Sequence, residues 1–290
     1  MFTINYNYEG TPKSCLGVEK WQEMTVQQFL PAVRAIYQTA RYKPETRYMI
    51  PILCSNISKE DYLKFNKIQA LQLVSAFDFL LDYEDLPVKW LIPKLEISHR
   101  KKKKEDNGIE EFARLFLPTT ILHGPADKLK NMVFEEFMYA EAMFDAYQKK
   151  QEDTFLNQFV AILFRPKAHN KNITGDVREN FNKHSVDMRA QIVASVPMAD
   201  KQAVMLNYIG CKALFPKLYE DLFSTGGDTG EKNNTSFSWL DVAYRVSEHK
   251  PSELEMLKCQ NLHEVLASLN LKIRDNKALK AEIEAMRRKK

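Results

Sequence analysis

"FEEFMYAEAMFDAYQKK", residues 134–150, decides how the rest of the chain is read. With Met132 ahead of it, Phe134, Phe137, Ala140, Phe144 and Tyr147 recur at helical spacing and form a broad apolar face. Glu135, Glu136, Glu141 and Asp145 fall between them and read as a solvated acidic face. Two E-x-x-H motifs would mark a di-iron bundle, and the stretch contains none.

The same period extends outward in both directions. Thr25 with Gln28 forms a capping-box pattern ahead of Phe29, Val33, Ile36 and Ala40, although Pro31 falls within that helix. Ser58 caps a short helix with Asp61 reaching back. The segment "IQALQLVSAFDFLLD" predicts one helix with Leu71, Val74, Phe77, Leu80 and Leu81 on one side. Residues 153–165, 183–197 and 198–223 are also helical, with Pro216 splitting the last. Only 9 glycines occur in 290 residues, which favours helices over tight-turned sheets.

Two regions break the pattern. Residues 2–9 alternate as a strand with Phe2, Ile4, Tyr6 and Tyr8 on one face. Between Val88 and Pro125, "VKWLIPKLEIS" and "EEFARLFLPTTILHG" read as two extended arms joined by the polar tip "HRKKKKEDNG", a protruding hairpin near 88–122. The segment "STGGDTGEKNNTS" reads as a flexible linker. The sequence therefore divides into a mainly helical domain with a hairpin insertion at 1–223, a linker at 224–236, and an amphipathic helical module at 237–290. The fold class is mainly α, a multi-helix domain with a small β element. In the last segment Leu262, Leu266, Leu269 and Ile273 are spaced four, three and four apart; Leu279, Ile283 and Met286 resume after a shift.

The chemistry-bearing residues form no catalytic pattern. Cys15, Cys54, Cys211 and Cys259 are far apart, without a C-x-x-C pair, so neither a zinc site nor a disulfide framework is expected. The six histidines include no H-x-x-x-H. Gly226, Gly227, Gly230 and Lys232 imitate a phosphate loop, but Glu231 interrupts it and no strand precedes it. Arg165, Lys167, Lys171, Asp176 and Arg178 read as a surface loop tied by local ion pairs. No cofactor or metal is expected, and no enzyme. Neither a signal peptide nor a membrane span is evident, so the expected setting excludes the membrane.

The net charge is +4, and its excess basicity sits in Arg100, Lys101, Lys102, Lys103 and Lys104 and in the tail 287–290. These runs could contact phosphates or an acidic partner. The first lacks the interleaved aromatics on which bases stack, and the body of the chain is mildly acidic.

The stretches "HGPADKLKNMVFEEFMYAEAMFDAY" (123–147), "LNQFVAILFRP" (156–166) and "GDVRENFN" (175–182) follow in order after a W-x-E-M-T-x-x-Q-F at Trp21–Phe29. Together with "WLDVAYRVSEHKPSELEMLKCQNLHEVLASLN" (239–270), they resemble a family of helical proteins of bacteriophages and prophages. The last stretch is similar to tail-assembly-chaperone modules, in which a Trp-led helix precedes a helix ending in Leu-Asn. The basic tip at His99–Gly108 departs from that pattern. The resemblance implies a non-enzymatic tail assembly chaperone or a tail- or virion-associated structural protein. It would meet phage tail proteins, the tape-measure protein among them, in the host cytoplasm or the virion, with self-association as a further contact. Trp239, Leu262, Leu266, Leu269 and Ile273 are the expected partner contacts. The alternative is a nucleic-acid-associated protein using 100–104 and 287–290.

Overall fold

The computed structural model describes residues 1–8, 10–41, 43–83, 85–98, 119–168, 176–224 and 238–288. In chain order the elements are β1 (Phe2–Tyr8), β2 (Thr11–Gly17), α1 (Val26–Arg41), α2 (Ile50–Cys54), α3 (Lys59–Leu63), α4 (Lys67–Ser75), β3 (Lys94–Ser98) and β4 (Thr119–His123). There follow α5 (Phe134–Lys150), α6 (Asp153–Leu163), α7 (Val186–Val193), α8 (Met198–Lys212), α9 (Phe215–Leu218) and α10 (Glu220–Ser224). The last three are α11 (Trp239–Val246), α12 (Pro251–Cys259) and α13 (Leu262–Arg288), and short 3₁₀ turns connect several of these helices. The fold is mainly α with two small antiparallel β pairs. No helix among the described residues is long and apolar enough to cross a membrane.

The chain forms two compact units, each built from two segments: Met1–Ile92 with Val196–Lys212, and Pro93–Ser195 with Ala213–Lys290. This division differs from the one read at the glycine-rich segment, whose residues 225–237 lie outside the described residues. The physical reason is that α8 returns to the N-terminal elements, while α11–α13 pack with α5.

In the first unit, β1 has a partner that the sequence did not announce. β2 pairs with it from Phe2↔Gly17 to Tyr8↔Thr11, and Gly10 supplies a positive φ of 80° beside the connection. Pro12, Lys13 and Ser14 hide this strand from a pattern search, and only Cys15 and Gly17 on it are buried. On β1 the expected alternation holds, with Phe2, Ile4 and Tyr6 half-buried. Phe2 meets Phe77, and Tyr6 meets Phe65 edge-on.

The Ser58 cap forms, its Oγ accepting from Asp61 N. The Asp61 side chain interacts with Ser58 and also reaches across to the hairpin. It accepts from Tyr6 Oη at 2.8 Å and from Lys13 Nζ at 3.1 Å, tying the hairpin to α3. The expected helix over 68–82 is split into α4 and a 3₁₀ turn at Asp78–Leu81, so Val74, Phe77 and Leu80 are buried while Leu71 and Leu81 are exposed. Trp21 is fully buried against Phe29, its indole donating to Asp82 O at 2.8 Å. α1 continues through Pro31 and buries Phe29, Ala32, Val33 and Ala35. Its Arg34 grips Asp200 of α8 through two bonds of 2.6 and 2.7 Å.

One face of α8 clamps the irregular segment 87–91. Asn207, fully buried, accepts from Leu91 N at 2.7 Å and donates to Lys89 O at 2.7 Å and Pro87 O at 3.3 Å. One turn on, Gly210 lets that backbone approach so closely that an added Cβ would lie 2.3 Å from Pro87 O. Cys211 contacts Val88 O from the same face. Cys15, Cys54 and Cys211 are buried reduced thiols and Cys259 is exposed. Burial pushes the Cys54 thiol up to about 12.

In the second unit, β3 and β4 pair from Lys94↔His123 to Ser98↔Thr119, in the arms read as a hairpin. Its basic tip lies outside the described residues. The sheet is prolonged by two isolated bridges, His123↔Arg165 and Lys167↔Arg178. α5 begins at Phe134 with Val133 ahead of it, rather than at an Asp127 cap. Its Phe134 and Phe137 join Leu156, Phe159, Val160 and Leu163 of α6 among the fully buried side chains, each contributing about 1.5–3 kcal/mol on burial.

Two outcomes are expected for the first unit. Gly210→Ala forces α8 and the Leu86–Pro87 backbone apart and lowers stability by about 1–3 kcal/mol, read as a lower urea midpoint. Asp61 has its pKa held below the usual carboxylate range: burial opposes this, but hydrogen bonds from Tyr6, Lys13 and the Ser58 cap outweigh it. The stability it adds is therefore present above an unfolded value of about 3.9 and is lost as pH falls through the lower folded value. Asp61→Asn should lower the melting temperature at neutral pH, and the gap to wild type should close as the pH falls below 4.

Candidate functional site

The second unit contains a buried cluster of four charges. Glu136 projects from the first turn of α5, Arg165 follows α6, and Asp176 and Arg178 lie on the segment bridged back to Lys167. All four are buried, Glu136 and Arg178 completely. The polar loop expected at the surface is thus, in these three residues, part of the core. The expected acidic face of α5 is also incomplete, because both Glu136 and Glu141 are buried.

Arg178 is the centre of the cluster. Its Nε donates to both Asp176 oxygens at 3.1 Å, and Nη2 donates to Asp176 Oδ2 at 2.9 Å. Nη1 reaches Glu136 Oε1 and Leu163 O, both at 2.8 Å, while Nη2 also reaches Asn131 O at 3.4 Å. All five guanidinium donors therefore have acceptors. Burial works against this charge, but Glu136 and Asp176 outweigh it and raise the Arg178 pKa above its ordinary value.

Arg165 is less well matched. Its Nη1 lies 3.0 Å from Glu136 Oε1 and its Nη2 3.5 Å from Asp176 Oδ2, while its Nε has no hydrogen-bond partner among the described residues. Burial dominates here and lowers its pKa, with Glu136 pulling the other way. Its backbone compensates by exchanging two bonds with His123, at 2.7 and 3.0 Å. Arg189 is also buried and donates to Ala161 O and Ser185 Oγ.

Chemically this is a closed tie rather than a reaction centre. Two cations and two anions balance, the carboxylate oxygens face guanidinium donors, and solvent is excluded. It joins α5, the end of α6 and the bridge between Lys167 and Arg178. Part of it was legible in the sequence: Glu136 lies on the same helical line as Ala140, Met143 and Tyr147, at spacings of four, three and four. An acid on an apolar line calls for a buried hydrogen-bond or charge partner, but which residue supplies it depends on chain topology.

A second polar cluster seats α13. His263 Nε2 lies 2.9 Å from Lys128 O, and Nδ1 lies 2.7 Å from Tyr219 Oη. A carbonyl only accepts, so in the neutral ring Nε2 carries the proton and Nδ1 accepts from the tyrosine hydroxyl. Lys128 and Leu129 both have positive φ, 56° and 62°, a conformation that costs non-glycine residues about 1–2 kcal/mol each. The turn is held by His263, by Asn261 Nδ2 donating to Lys130 O at 2.7 Å, and by backbone bonds Phe134 N to Gln260 O and Leu262 N to Met132 O.

The expected partner contacts are redistributed by this packing. Trp239 is buried against Phe134, Phe137 and Phe223. Leu262, Leu266 and Leu269 are also buried, and Ile273 is half-buried. The apolar stripe offered to a client is covered by the chain itself, with α5 and α10 packed against α13. Arg100, Lys101, Lys102, Lys103 and Lys104 lie outside the described residues, and Arg287 and Arg288 are exposed at the end of α13. Among the described residues, no group of three or more His, Cys, Asp or Glu is placed to hold a metal ion. Comparison with known proteins found no matching family, no matching curated protein and no matching solved structure.

Arg178→Met leaves Glu136 and Asp176 buried without their main counter-charge and should cost about 3–5 kcal/mol. Arg178→Lys should recover little, since an ammonium cannot present five donors in a plane. Adding Glu136→Gln and Asp176→Asn to Arg178→Met should restore part of the loss. Guanidinium denaturation followed by circular dichroism measures all three.

Proposed function

We propose that this chain is a non-enzymatic assembly protein working through protein–protein contacts, in the class of phage tail assembly chaperones or tail-associated structural proteins. One observation carries the contact-based reading: three large apolar residues stand exposed within nine positions on α3 and α4. Leu63 is 70% exposed, Ile68 68% and Leu71 46%. Ile68 and Leu71 are three apart and share one helical face. Single exposed apolar side chains are ordinary, whereas a group of this kind fits a docking surface. Its ligand class is a helix with an apolar stripe, received as in helix-in-groove recognition. A tape-measure protein, long and helical, is the client that the phage resemblance suggests.

Co-expression with the tape-measure protein of the same gene cluster tests this reading. The client should co-purify with the wild-type chain. Leu63→Asp with Ile68→Asp should reduce the retained client by at least about tenfold, given about 1.5–3 kcal/mol for each apolar side chain removed from a contact, and should leave the melting temperature unchanged. A wild-type chain that retains no client would remove the proposal.

A further inference from the structure

We propose that the distal half of α13 is the seam of a parallel two-stranded coiled coil, and that its occupant is α13 of a second copy of this chain. The inference is independent of the client-binding patch on α3 and α4.

α13 has 27 residues, but its buried side chains, Leu262, Val265, Leu266 and Leu269, all lie in its first eight positions. Leu262, Leu266, Leu269 and Ile273 follow one line along the helix. Continued at the same spacing, that line would reach Asn276, Lys280, Ile283 and Arg287. Leu279 and Met286 stand one position before Lys280 and Arg287, about 100° around the helix, so that with Ile283 they turn the apolar line to one side. The contacts that the chain makes to α13 beyond Leu269 stay on the first side. Asn270 Oδ1 accepts from Leu222 N at 2.9 Å, and Lys277 Nζ reaches Asp221 Oδ1 at 3.0 Å and Ser224 Oγ at 2.9 Å. The second stripe is left open, with Leu279 55%, Ile283 42% and Met286 58% exposed.

The open stripe follows the heptad rule. Asn276 and Ile283 take the a positions, and Leu279 and Met286 the d positions. A β-branched residue at a with Leu at d favours two strands, and a single Asn at a fixes register. The flanks then select the partner and its direction. Asp275 and Glu282 fall on g, and Lys280 and Arg287 on e. In a parallel pair each g residue faces the following e residue of the other helix, so Asp275 meets the partner's Lys280 and Glu282 meets the partner's Arg287. The symmetry doubles both pairs. An antiparallel pair would set e against e and g against g, matching like charges throughout. Among the described residues, Lys280, Glu282 and Arg287 form no ion pair within the chain, and Asp275 touches only its neighbour Arg274, at 3.9 Å. The mixed signs on these flanks also distinguish the helix from a membrane-surface helix, whose polar face is rich in Lys and Arg.

Two heptads alone are marginal for a coiled coil. Here the buried first half already nucleates the helix, so association adds only the seam. The expected state is a concentration-dependent dimer.

Sedimentation equilibrium of the full chain, from low micromolar to several hundred micromolar, should show monomer and dimer in exchange. Leu279→Asp with Ile283→Asp should weaken the dimer at least about a hundredfold, with an unchanged melting temperature, because both side chains are exposed in the single chain. Glu282→Lys should weaken it by repulsion from the partner's Arg287, and adding Arg287→Glu should restore it. In a Cys259→Ser background, Asn276→Cys should cross-link the dimer on mild oxidation, which an antiparallel pair would not allow. A chain that stays monomeric throughout overturns the proposal. So does a dimer indifferent to the Leu279 and Ile283 changes, or one that Asn276→Cys fails to link. None of these outcomes alters client retention through Leu63 and Ile68, so the two proposals fail separately.

Discussion

The second unit depends on the five-donor engagement of Arg178. Removed from water, that guanidinium is tolerable only where every N–H meets an acceptor, and its acceptors come from α5, from the end of α6, from the turn at Asn131 and from its own loop at Asp176. Satisfying one side chain therefore fixes four pieces of chain against each other. The consequences continue along α5. With Glu136 held, Phe134 and Phe137 present the aromatic surface that receives Trp239, and the turn ahead of α5 offers the backbone groups that pair with Gln260 and Leu262. The position of α13 follows from a charge balance in which it takes no part.

The first unit solves a related problem with a neutral group. Segment 87–91 belongs to neither helix nor strand, so its backbone groups need side-chain partners. Asn207 supplies one acceptor and two donor contacts, and Gly210 allows the close approach those bonds require. In both units a buried polar side chain replaces the hydrogen bonding that regular structure would have provided. Such groups cost more to leave unmade than they contribute when satisfied, so they act as specificity devices more than as sources of stability.

α13 divides into two working halves where Leu279 and Met286 turn its apolar line to one side. The first half closes the core of its own unit. The second turns its apolar line away from the chain's own contacts and surrounds it with charges that complement only a parallel copy.

Much of this architecture was readable in the residues themselves. Periodicity located α5, α6, α13 and the β1 alternation, a capping pattern helped place α1, and composition with its prolines marked the arms of the β3–β4 pair, because each of these is a property of the chain read in order. The β2 strand was not readable, since Pro12, Lys13 and Ser14 mimic a loop and only pairing with β1 makes them extended. The continuous helix expected over 68–82 was interrupted because burying Phe77 and Leu80 against the first unit's aromatic cluster required a tighter turn after Ser75. The sequence by itself determined the helical class, the amphipathic faces and the break in the α13 stripe. Only the tertiary structure decided that Glu136, Asp176, Arg165 and Arg178 converge, and that Trp239, Leu262, Leu266 and Leu269 face inward. Both depend on which distant segment fills the space opposite, and spacing within one segment carries no information about that.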